Sequence, residues 1–241
     1  MDAMPLAKSL ALRSVLAVLL TATLASAQIA RGAQDVAGST DAKKSLPALL
    51  AAEAQRMIAD YPDTRYSHKT HIDKSQGICE ADCSGFIVLL LRHKAPKHLD
   101  SIHTAHKRPL AEDFYAAFAP KDGVPARGWK PIPRLVDAER GDVLVWIKPD
   151  HVPGDNTGHV MLIAEKPVPE SPRQFRVRVF DSTLHGHADD GRTKAGRSGI
   201  GQGTLWLEVD DQMRPIGYRW KSRTGTLHEV PIAIGRALPA D

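Results

Sequence analysis

The segment Asp82-Cys83-Ser84-Gly85-Phe86, running into the apolar stretch Ile87 to Leu91, constrains this chain more than any other. It places one cysteine at the start of a buried helix. A thiol there meets the positive end of the helix dipole and the free N–H groups of the first turn. Both favour thiolate, and thiolate is the nucleophile. Gly158-His159 heads a second apolar stretch, Val160 to Ala164. Histidine suits the role of base because its pKa lies near neutrality. Gly158 removes bulk beside it, and a residue at a strand start can face a cleft while the strand stays buried. The plainer alternatives are an inert buried cysteine and a surface histidine.

A third group must orient the imidazole. The strand that begins at Phe175 ends Val179-Phe180-Asp181-Ser182-Thr183. In an antiparallel pair that end returns beside the His159 strand, so Asp181 can accept from the distal ring nitrogen. An Asx turn closing the strand is the alternative, and His185 and His187 are rivals for the role. The oxyanion of an attacked carbonyl needs donors held in advance. The Cys83 N–H is one, and the Tyr66 hydroxyl is a second from the preceding loop. Asp82 and Ser84, which flank the nucleophile, fall on the substrate or oxyanion side.

The remaining chain reads as helices followed by strands. Leu46 to Asp60 carries an apolar stripe at helical spacing, and Ala111 to Ala119 is a second short helix. Thr64 to Ala81 and the basic stretch 94 to 110 read as loops. Asp142 to Ile147, Gly158 to Glu165, Phe175 to Asp181, Gly203 to Val209 and Ile216 to Trp220 read as strands. Gly199-Ile200-Gly201-Gln202-Gly203 lacks the spacing and lysine of a phosphate loop and reads as a turn into the Thr204 strand. This order predicts an α+β fold, with N-terminal helices, including the nucleophile helix, packed on a five- to six-stranded antiparallel sheet.

Lys8 and Arg13 precede the apolar stretch Val15 to Ala25, which ends Ala25-Ser26-Ala27. That is the pattern of a signal peptide, 1–27, too short to span a bilayer. A flexible lead-in, 28–45, and a single catalytic domain, 46–235, follow. The expectation is a secreted or periplasmic protein, monomeric and without stable membrane insertion. The net charge of +4 is mild and its basic residues are scattered, which excludes a nucleic-acid module. The two cysteines, Cys79 and Cys83, could form only a tiny, strained loop, although a reversible bridge would switch the nucleophile off. His68, His71, His151, His159, His185, His187, Asp189 and Asp190 offer ligands, yet no H-E-x-x-H or paired Cys motif is present, and no metal or cofactor is expected.

With these motifs the chain resembles the NlpC-type cell-wall cysteine peptidases of the papain-like superfamily. The carriers are Asp82-Cys83-Ser84-Gly85-Phe86, then Gly141-Asp142-Val143-Leu144-Val145, then Gly158-His159-Val160-Met161-Leu162-Ile163. The resemblance implies Cys83 as nucleophile, His159 as base and Asp181 in third place. It also implies a thiol-dependent hydrolase that cuts peptide bonds in peptidoglycan stem peptides, often next to D-glutamate. The Tyr-x-Trp-Gly-Gly-like segment frequent in that family is replaced by a longer, histidine-bearing loop around Tyr66. A different thiol-dependent amidase or acyltransferase, a silent envelope-binding module and a metal-dependent hydrolase are the competing readings.

Overall fold

The computed structural model describes residues 45–152 and 156–239. The leader 1–27 and nearly all of the lead-in lie outside the described residues. Helix α1, Leu46–Asp60, begins on Ser45 and Pro47, and its buried stripe of Leu50, Ala51, Ala54 and Met57 follows the helical period. Glu53 lies on that buried side, only 3% exposed. Its carboxylate takes Arg56 on its own helix and His93 at 2.8 Å from the next one. The Arg56 hydrogen bond is the main reason that its pKa falls to about 2, against the pull of burial.

Three short strands follow: β1, Asp63–Arg65; β2, His71–Asp73; and β3, Ile78–Glu80. They form a small sheet of order β1-β3-β2 in the stretch expected to be loop. Helix α2, Cys83–Lys94, is buried continuously from Cys83 to Leu91. A helix apolar on every side belongs in an interior. Helix α3, Pro96–Asp100, lies within the basic stretch, and α4 spans Ala111–Phe118.

The main sheet holds nine strands. They are β4 (Trp129–Pro131), β5 (Val143–Ile147), β6 (Gly158–Ile163), β7 (Val168–Ser171), β8 (Gln174–Thr183), β9 (Gly199–Val209), β10 (Pro215–Arg219), β11 (His228–Glu229) and β12 (Ile232–Ala237). Their order is β11-β10-β9-β8-β6-β5-β12-β4, with β7 added to β8, and every pairing is antiparallel. A short helix α5, Gly191–Lys194, interrupts the strand region.

The class is α+β, but the expected five- to six-stranded sheet behind N-terminal helices is incorrect. The sheet has nine strands, with a further three in the small one, and the short helix α5 falls among the strands. The reason is that both faces of the sheet are buried. Val143, Val145, Val160, Leu162 and Phe180 pack under the helices. Leu144, Trp146, Met161, Ile163, Val177 and Val179 form a second core on the other face. Met213, Tyr218, Trp220 and Val230 pack against that second core. Several of the strands missed are short or contain proline, as in Pro131 of β4 and Pro169 of β7, which is edge-strand chemistry; β12, six residues inside the sheet, was missed without either mark.

The Gly141-Asp142 pair ahead of β5 has a structural purpose. Gly141 has φ +92, and a Cβ there would overlap the Pro47 carbonyl at the start of α1. Asp142 is fully buried and accepts from Arg236 of β12 at 2.8 Å through each oxygen. Gly141→Ala is therefore expected to cost more than about 2 kcal/mol, from the left-handed backbone and the clash together. Urea unfolding of the variant checks this, and an unchanged midpoint would contradict the packing described.

Candidate active site

Asp82 caps α2: its Oδ1 accepts from the Gly85 N–H at 2.7 Å. Cys83 is thereby the first residue of the helix, 7% exposed. Its own N–H belongs to the first turn, where no intrahelical acceptor exists. His159 stands near the start of β6, opposite Trp146 of β5. Its Nε2 donates to Asp181 Oδ2 at 2.7 Å, and Cys83 acts electrostatically on the same imidazole. That leaves Nδ1 as the nitrogen free to serve the thiol. The ring packs against two tryptophans, with Trp146 at 5.3 Å and Trp220 edge-on at 5.4 Å, and its side chain is 12% exposed.

Burial opposes charging His159, but the negative charge of Cys83 and the hydrogen bond to Asp181 outweigh it. The imidazole pKa is pushed up from 6.5 to about 10. Its raised value stabilises the fold fully below about 6.5, and that contribution is lost as pH climbs through about 10. Around neutral pH the imidazole is held as a cation, ready to donate a proton.

Asp181 has no exposed surface. Its Oδ2 also accepts from His187 Nε2 at 2.8 Å, and its Oδ1 accepts from Arg192 Nη2 at 2.9 Å. Arg192 donates in turn to Asp190 and to the Asp181 backbone carbonyl. Burial alone would raise the Asp181 pKa. His187, Arg192 and the His159 hydrogen bond hold the carboxyl well below its ordinary range instead. Trp220 covers the His187 ring at 3.9 Å and donates from its indole to the His185 carbonyl.

The glycines from 199 to 203 make room for this network. They form the first half of β9 rather than a turn. A Cβ on Gly201 would come within 2.5 Å of the Arg192 guanidinium, and one on Gly203 within 2.6 Å of His187 Cβ.

Among the described residues, the one set of three ligand-type side chains that converges is His159, Asp181 and His187, with all three atoms within 4.8 Å. Their N···O separations are hydrogen-bond lengths, and Arg192 already occupies the other Asp181 oxygen. The trio shares protons around one carboxylate.

A cleft of about 280 Å³ opens beside Cys83, lined by Tyr66, His68, Asp82, Ser84, Arg108 and Thr157 among others. Arg108 bridges its floor, donating to both Asp82 and Ser84. His68 meets Asp82 at 3.3 Å. Burial, with the negative charge of Cys83 and Asp82 behind it, raises the Tyr66 hydroxyl pKa, so it remains a donor. The structure thus brings Cys83, His159 and Asp181 together and sets Tyr66, Asp82 and Ser84 around the cleft. His185 is exposed at the site's margin. Cys79 is a free thiol buried in β3, where desolvation pushes it up to about 11.

Sequence reasoning missed Arg108 and Arg192. Arg108 ends the basic stretch that read as loop, and Arg192 follows Asp190 in a polar turn with no apolar pattern to mark it. Compared with protein-family models, curated proteins and solved structures, the chain matches none.

Asp181→Asn should cost about 3 to 5 kcal/mol at neutral pH, because it leaves the buried Arg192 charge uncompensated. A depressed carboxyl stabilises above its unfolded value, near 3.9, and loses that contribution as pH falls through the folded one. The gap between wild type and variant in urea unfolding should therefore narrow below about pH 4. A gap that widened with acid would refute the pairing.

Proposed function

We propose that the chain is an exported cysteine hydrolase of the NlpC-like kind, cleaving amide bonds in peptidoglycan stem peptides. The observation that carries this reading is the line from Cys83 at a helix start, through His159, to the buried Asp181. The small polar cleft, with Arg108 and Asp82 on its floor, supports a charged peptide as substrate rather than an acyl chain. No helix among the described residues is long and apolar enough to cross a membrane.

The Cys83 thiolate attacks the amide carbonyl carbon, and the carbonyl π electrons move to oxygen. The Cys83 N–H donates to that oxyanion, and the Tyr66 hydroxyl faces the same cleft. As the tetrahedral adduct collapses, the C–N bond breaks and the imidazolium gives its Nδ1 proton to the leaving amine. The thioester left behind is then attacked by water. His159, now neutral, takes the water's proton, and the free acid departs as the sulfur leaves. Asp181 holds the ring's orientation throughout, and the two tryptophans limit water around it.

Cys83→Ala should reduce release of new amino groups from muropeptides to background, with the fold intact by circular dichroism. His159→Ala should lose about 10²- to 10⁴-fold in kcat. Turnover should fall as pH rises through about 10, where His159 loses its proton. Full activity in Cys83→Ala would end the thiol reading. Loss only with a chelator would point to metal-dependent hydrolysis.

A further inference from the structure

The carboxylate behind the imidazole serves two histidines at one oxygen. His159 and His187 both direct Nε2 to Asp181 Oδ2, at 2.7 and 2.8 Å, while Oδ1 is taken by Arg192. His187 has no exposed side-chain surface, and its Nδ1 has no partner. A proton on that nitrogen would be a buried donor with nothing to receive it, so Nε2 carries the proton. The ring cannot turn away, because Trp220 covers it at 3.9 Å and Gly203 backs its Cβ. Its backbone N–H is fixed on Asp190.

We propose that His187 is a positioning residue, which shares Asp181 Oδ2 with His159 and thereby limits how much of that carboxylate's charge reaches the imidazole facing Cys83. A donor on the same oxygen draws electron density from it whether or not His159 is protonated. Without that donor, Asp181 would pull harder on His159 and hold its proton more tightly. A base that keeps its proton too long returns a poor acceptor to the deacylating water, so the sharing suits a group that must both give and take a proton. The charged and titratable groups facing this point are Cys83 from α2, Asp181 from β8, and Asp190 and Arg192 from the loop holding α5. Tyr66, near the thiol, is held as a neutral hydroxyl.

The inference rests on the cysteine-hydrolase reading for its catalytic meaning, but its readout is the histidines themselves. Ring-nitrogen NMR of the histidine-labelled full chain, with His159 assigned through a His159→Gln spectrum, follows the protonation midpoint directly. His187→Phe keeps a ring against Trp220 and removes the donor, while His187→Gln keeps an N–H donor. The His159 midpoint, near 10 in the wild type, should rise by roughly half a unit to one unit in His187→Phe and return towards wild type in His187→Gln. An unmoved midpoint in a folded His187→Phe, or an equal shift in both variants, would overturn the proposal. If His187→Phe does not fold, the wild-type spectrum decides: His187 must carry its proton on Nε2, and a bare Nε2 overturns the sharing. Turnover in Cys83→Ala bears on the hydrolase reading alone and leaves this measurement untouched.

Discussion

A carboxylate sealed from water must be answered by donors, and the architecture around Asp181 follows from that requirement. Its oxygens take His159, His187 and Arg192. Arg192 in turn needs acceptors, which are Asp190 and the backbone carbonyls of Asp181 and Gly199. Those demands explain why the loop between β8 and β9 folds back over the sheet. They also explain why β9 opens with glycines, since larger residues would displace the side chains that answer the charge. The imidazole is oriented by this arrangement rather than by a single contact, so its aim depends on groups that never approach a substrate.

The nucleophile end follows a parallel logic at the surface. Asp82 caps the helix that presents Cys83, and the same carboxylate anchors Arg108. A cap that stood alone would place a bare negative charge beside an anionic sulfur. Arg108 offsets it, so the cleft floor is polar without a bare charge beside the sulfur. One aspartate thus fixes helix geometry and local electrostatics together.

Much of this site was legible in the order of residues. Asp82-Cys83 announced a helix start, and Gly158-His159 opened a strand whose neighbour ended in Asp181. Local pattern suffices for these because each sits at an element boundary. Arg108 and Arg192 were not legible, since a cation in a polar stretch has no periodicity to mark it. The size of the sheet was missed for a different reason. Val143 to Ile147 and Val160 to Ile163 read as strands, but an unbroken apolar run does not say what covers its second face. Met213, Tyr218, Trp220, Val230 and Ile232 pack against that second core, and outside β10 these positions carry few local signals.

The small sheet of β1 to β3 is tied to the far end of the chain. Ser182 donates to the Ala81 carbonyl, and Thr64 accepts from the Ile200 N–H. These ties span more than a hundred residues of sequence and hold the loop that precedes Cys83. During synthesis the thiol therefore emerges long before its base, and longer still before the arginine that steadies the base's carboxylate. The grouping of Cys83, His159 and Asp181 therefore assembles only when β8 and β9 close over the amino-terminal half. Topology alone sets the order in which this site can form.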